Sequence, residues 1–209
     1  MSDRYVVVFD PGGKNAFGWA VLAYADNQLT FIASGICSNA RDSLNSAAGK
    51  CPSDPIAVGI DAPLIWSESG DRHCDRLVRG LVLRKTAATG KRGSSTVSHV
   101  NSLRGACLVQ GILIAAFSGT KWPSARITEA HPKALRWILP ELPLPRSCPE
   151  NLKEKDHELD AVIAAYTAFH YAQKTEGWED LYDKEISRFE PCPHPVAYWF
   201  PILKGKDRQ

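Results

Sequence analysis

Two stretches of the chain are apolar without alternation and a third, shorter one reads as a strand, and each runs into an acid. Residues 5–9 read YVVVF and stop at Asp10, before Pro11-Gly12-Gly13. Residues 56–60 read IAVGI and stop at Asp61, before Ala62-Pro63; residues 125–128 read ARIT and lead into Glu129. Continuous apolar runs of this length, bounded by turn residues, predict strands buried on both faces. Between the first two, residues 18–22 and 29–37 have strand character and are separated by Asp26-Asn27-Gln28. The opening therefore reads as three antiparallel strands.

Helical spacing appears in four places. Ala40, Leu44 and Ala47 mark a short helix over 39–50, with Ser38 or Asn39 as cap and Pro52 and Pro55 beyond it. Residues 102–117 are apolar nearly all round, which predicts a helix buried against the sheet and ended by Gly119. A short helix is expected at 134–138. From Asp156, the likelier cap, Leu159, Val162, Ile163, Tyr166 and Phe169 form a stripe that leaves Asp160 on another face. After Pro191, Pro193 and Pro195, residues 196–200 predict an edge strand.

These elements describe an α/β domain over residues 1–209, with an insertion at about 65–101 and a C-terminal edge extension at about 186–209. The chain has 209 residues, 44% of them hydrophobic and 23% charged, so it can build a sizeable core without disulfides or a structural metal. No apolar run reaches the roughly 20 residues needed to cross a bilayer, and no signal-like region opens the sequence, so a cytoplasmic protein without membrane contact is expected. The six cysteines lie far apart without a C-x-x-C pair and read as reduced, mostly buried thiols.

The formal charge of +2 hides an asymmetry. Residues 71–104 contain eight Lys or Arg against Asp71 and Asp75, a net +6 that leaves −4 on the rest. Arg72, Arg76, Arg79, Arg84, Lys85, Lys91 and Arg92 are candidates for nucleic-acid phosphate contact. The plainer reading is a solvated loop and helix face. Trp66, Trp122 and Trp199 are candidates either for stacking bases or for core packing.

Carboxylates at three buried strand ends and in the first turn of a helix raise one another's pKa, and a divalent cation relieves that cost. Mg²⁺ and Mn²⁺ favour oxygen ligands, and two such ions at about 3.5–4 Å can clamp the attacking and leaving oxygens of a phosphodiester. Asp10, Asp61, Glu129 and Asp160 are the candidate metal ligands and catalytic residues. His157, three residues before Asp160, shares its face and is a candidate to orient a water. His131 is a candidate partner of Glu129. Arg72 and Asp75, three apart, share one helix face, where a plain ion pair competes with the functional reading.

The order of elements resembles the ribonuclease H-like fold. Phe9-Asp10-Pro11-Gly12 with residues 18–22, and His157-Glu158-Leu159-Asp160-Ala161, resemble motifs of its RuvC-type branch. Closer still is the family called domain of unknown function 429, a predicted nuclease group. Gly59-Ile60-Asp61-Ala62-Pro63-Leu64, Arg72-His73-Cys74-Asp75, Glu129-Ala130-His131-Pro132 and the 157–161 motif match it in order. The resemblance implies a mixed sheet of three antiparallel then parallel strands, and metal-dependent nucleic-acid cleavage. Two rivals are a non-catalytic nucleic-acid-binding or regulatory protein of the same fold, and a phosphotransferase of the actin and sugar-kinase type. Against the latter, 209 residues hold one copy of a domain which that architecture duplicates. Tyr198-Trp199-Phe200 leaves a homodimer interface or a covered sheet edge as alternatives.

Overall fold

The computed structural model describes residues 4–12, 14–26, 28–65, 67, 72–87, 105–154, 156–186, 188 and 190–202. Among the described residues seven strands form the sheet: β1 (Arg4–Asp10), β2 (Phe17–Ala25), β3 (Gln28–Cys37), β4 (Ala57–Ile60), β5 (Arg126–Glu129), β6 (Trp178–Asp180) and β7 (Val196–Pro201). Their order across the sheet is β3-β2-β1-β4-β5-β7-β6. The β1–β2 and β2–β3 pairs are antiparallel, whereas β1–β4, β4–β5 and β5–β7 are parallel. Among the described residues five α-helices flank it: α1 (Ala40–Ala48), α2 (His73–Ala87), α3 (Gly105–Lys121), α4 (Pro132–Ile138) and α5 (Asp156–Gln173). This is the ribonuclease H-like arrangement expected from the sequence.

The central strands owe their position to composition. Val6, Val7, Val8 and Phe9 are all fully buried, as are Ala57, Val58 and Ile60, so both faces of β1 and β4 need a covering layer. Helix α5 covers β1, β2 and β4, the elements it packs against most. Its approach depends on missing side chains. A Cβ at Gly18 would strike the backbone carbonyl of His157, and one at Gly59 would meet Ala164 O and Ala168 Cβ, each at 3.2 Å. Helix α1 begins at the expected cap, where Asn39 Oδ1 accepts the Asp42 N–H at 3.0 Å.

Four expectations change. Helix α3 runs through Gly119 to Lys121, because that glycine makes room for the ring of His194 rather than ending the helix. Nor is α3 wholly buried: Ile114 and Ala115 face the core, while Val109 is 56% exposed. Strand β7 is internal, since its backbone pairs with β5 on one side and with β6 on the other. The edge belongs to β6, three residues too short to show a pattern, and Tyr198, Trp199 and Phe200 are buried inside the sheet rather than spread on an interface. Among the cysteines, all free, only Cys74 and Cys192 are fully buried. No helix among the described residues is long and apolar enough to cross a membrane.

Candidate acidic site at the strand ends

Parity along the strands sorts the candidate acids into two groups. Asp10 lies opposite Gly18, and Gly18 faces the start of α5, so Asp10 points to the α5 side of the sheet. Asp61 follows Ile60, which pairs with Phe9, so it stands beside Asp10 with the same parity. Glu129 pairs with Ile60 itself and takes the opposite parity. A one-residue difference between strands has thus separated an acid that the sequence presents as equivalent.

On the α5 side, Asp10, Asp61 and Asp160 form a mutually repelling cluster. Burial raises the Asp61 carboxyl well above the usual range, and the charges of Asp10 and Asp160 raise it further, against an opposing pull from Lys133. Half-buried, Asp61 accepts no hydrogen bond among the described residues. Burial also raises Asp160, with Lys133 pulling down and Asp10 pushing up. Lys133 Nζ sits 3.4 Å from Asp160 Oδ2, and His157 donates from Nδ1 to Asp10 Oδ2 at 2.7 Å. That hydrogen bond raises the His157 pKa; its side chain is 45% exposed. Lys133 therefore balances part of the cluster's charge, and His157 adds to that when it is protonated. Helix α3 closes one side: Gly111 packs on Ala62, and burial with the nearby Asp61 and Asp10 pushes the Cys107 thiol up to about 12.

The turn that presents these groups is held at both ends. Ser34 of β3 donates to Glu158 Oε2 at 2.5 Å, pinning the first turn of α5 to the sheet. At its other side, the Asp61 N–H donates to Phe9 O at 2.9 Å, which fixes the β4 end against β1.

Glu129 belongs to a second, separate network. Arg72 donates to both its oxygens, at 2.8 and 2.7 Å, and to both oxygens of Asp75, at 2.8 and 2.7 Å. Tyr182 also donates to Glu129 Oε2, and the Leu64 N–H is shared between that oxygen and the Tyr182 hydroxyl. Burial opposes the charge on Arg72, which is 1% exposed, and the Glu129 carboxylate outweighs it. Arg72, a candidate for phosphate contact, is buried with four of its N–H groups on these two carboxylates. Asp75 orients it, as the spacing of three allowed.

Of the other expected cations, Arg76 and Arg84 are exposed on α2, and Arg79 and Lys85 are half-buried there. Lys91, Arg92 and Trp66 lie outside the described residues. His131 immediately precedes α4 and is half-buried, with its Nδ1 inside. Trp122 and Trp199 are core residues. Sequence reasoning missed Lys133 and Tyr182. The first follows the His131-Pro132 turn and was detectable as a cation next to a suspected site, whereas Tyr182 is 53 residues from its partner and carries no local signal.

Among the described residues, no group of three or more His, Cys, Asp or Glu side chains stands together as a set that could hold a metal ion. What the α5 side of the sheet does gather is three carboxylates, of which Asp61 accepts no hydrogen bond among the described residues. A family model described as protein of unknown function (DUF429) matches residues 10–144. That span includes Asp10, Asp61, Arg72, Asp75 and Glu129 and ends before α5. No curated protein and no solved structure matches the chain.

Proposed function

Because this chain belongs to the DUF429 family of proteins of unknown function, we propose its activity from the site itself: divalent-metal-dependent hydrolysis of a phosphodiester, with nucleic acid as substrate. The observation that carries this reading is Asp61, a half-buried carboxylate repelled by Asp10 and Asp160 that accepts no hydrogen bond among the described residues. A group in that position gains from a proton or a cation. Asp10, Asp61 and Asp160 would hold Mg²⁺ or Mn²⁺; such ions, when bound, supply an activated water and neutralise the leaving oxygen. Glu129 joins them only if Arg72 releases it, so its role here is to position Arg72, the Leu64 turn and Tyr182.

The remaining work falls to side chains. With Nδ1 donating to Asp10, His157 keeps Nε2 as the proton-accepting nitrogen, suited to relay a proton to or from a water or leaving group. Lys133 offers its ammonium to a substrate phosphate when Asp160 is otherwise neutralised. Arg76, Arg79, Arg84 and Lys85 of α2, with Lys91 and Arg92, would position the backbone without reading sequence. The motifs at 9–12 and 157–161 suggest a RuvC-type relationship within the fold.

Calorimetric titration of Mn²⁺ tests the metal without guessing a substrate. Stoichiometric binding to the wild type, lost in Asp10→Asn/Asp160→Asn, is expected, and Asp160→Asn should lower metal-supported cleavage at least about 100-fold. A fully active Asp160→Asn protein would refute the assignment. The Lys133–Asp160 and His157–Asp10 pairs favour one alternative, a non-catalytic nucleic-acid-binding protein in which these cations balance the acids permanently. It requires salt-sensitive binding that is indifferent to divalent ions.

A further inference from the structure

A cleft of about 700 Å³ lies between α4, the segment after it and α5, and nothing described above uses it. Its walls are apolar and partly aromatic: Trp137, Leu142, Leu159 and Ile163 contribute to them. Two cations, Lys133 and Arg136, stand on the α4 side. Helix periodicity links the cleft to the acidic site. Asp156, Leu159 and Ile163 line it, at spacings of three and four, while His157 and Asp160 of the same helix turn to the carboxylate cluster. Lys133 belongs to both, lining the cleft and standing 3.4 Å from Asp160. A ligand in the cleft therefore lies one side chain from the proposed reaction centre.

We propose that this cleft seats the base of a nucleotide, with the adjoining phosphate directed by Lys133 and Arg136 towards Asp10, Asp61 and Asp160. The inference rests on the phosphodiester reading for the position of the phosphate. An indole among aliphatic side chains offers a planar apolar surface to a base of any identity, and stacking of that kind tolerates sequence. The two cations complement a monoanionic phosphodiester, whereas an uncharged apolar chain would offer them no charge at the cleft. Asp156, on the first turn of α5, supplies an acceptor for an exocyclic amino group. The volume falls in the range of small-molecule sites, about 300–1,000 Å³, and exceeds what a single side chain would occupy. The site is thus a nucleotide subsite rather than a strand-long groove.

The test compares adenosine 5′-monophosphate, ribose 5-phosphate and inorganic phosphate on the full chain by calorimetry without divalent ions. The nucleotide should bind at least about tenfold more tightly than ribose 5-phosphate. Trp137→Ala should reduce its affinity to that of ribose 5-phosphate, with phosphate affinity unchanged. Leu142→Trp, which fills the cleft from the loop, provides an independent variant should Trp137→Ala fail to fold. Equal affinity of wild-type protein for the nucleotide and ribose 5-phosphate would overturn the proposal, as would binding of a short alkyl chain that the nucleotide does not displace. Failure of the phosphodiester reading looks different: no Mn²⁺ binding and no cleavage, with the preference for the base retained.

Discussion

Replacing Arg72 by Met isolates the buried network from the acidic site. The guanidinium makes four charge-assisted hydrogen bonds of 2.7–2.8 Å, two to Asp75 and two to Glu129, and these three side chains are almost fully buried. With Arg72 present the cluster carries a formal −1; without it, two carboxylates are left in low dielectric, and Glu129 retains only Tyr182 and the Leu64 N–H. Breaking a buried pair by removing one partner costs about 3–5 kcal/mol. At about 2–4 °C per kcal/mol for a chain of this size, the midpoint of thermal unfolding should fall by roughly 6–20 °C. The pH dependence tests the mechanism. Burial raises the Glu129 carboxyl and Arg72 pulls it down, so in the variant its folded-state pKa lies further above the unfolded one, and the contribution to stability present below the unfolded pKa is lost as pH rises through the folded pKa. The penalty of Arg72→Met should therefore be larger at pH 8 than at pH 5. Adding Glu129→Gln to the variant should return part of the loss. Calorimetric unfolding of the three proteins at both pH values is the assay. An Arg72→Met protein with wild-type stability at pH 8, but weakened nucleic-acid binding, would refute the argument and return Arg72 to the phosphate.

Three further predictions concern the frame. His170 stacks on Trp178 at 4.2 Å, and burial lowers its pKa to about 4. The unfolded imidazole takes up a proton near pH 6.5 and the folded one does not, so stability should fall by at most about 2–3 kcal/mol as pH drops from 6.5 to 4. His170→Gln should flatten that slope in denaturant titrations; an unchanged slope would place its origin elsewhere. Gly18→Ala pushes a methyl group into the His157 carbonyl and should cost about 1–3 kcal/mol while disturbing the Asp10–His157 contact, visible as a changed imidazole resonance. Full stability with an unchanged resonance would show that α5 can yield there. Asp10→Asn replaces the charged carboxylate that raises the His157 pKa by a neutral amide, so an NMR titration should show the imidazole moving down towards its ordinary value of about 6.5; no change would disprove the pairing.

The sequence by itself determined six of the seven described strands, most of the helices and the family. Short unbroken apolar runs such as residues 6–9, rich in β-branched side chains, fit a strand covered on both sides, and the glycines and prolines after Asp10 and Asp61 mark where each run turns. Asp10, Asp61 and Asp160 were legible as a group because an acid at the end of a buried strand, or on a packed helix, is costly and conspicuous. Strand β6 was not legible, because three residues carry no periodicity, and the internal place of β7 depends on a partner that pattern cannot name. Only the tertiary structure decided which acids share a site. Alternation is a property of one strand, whereas parity between strands is set by register, and the pairing of Glu129 with Ile60 rather than Asp61 turns it towards Arg72 and Tyr182. The same is true of Lys133: its neighbours in sequence give its charge, and the packing of α4 against α5 makes it the counter-ion of Asp160.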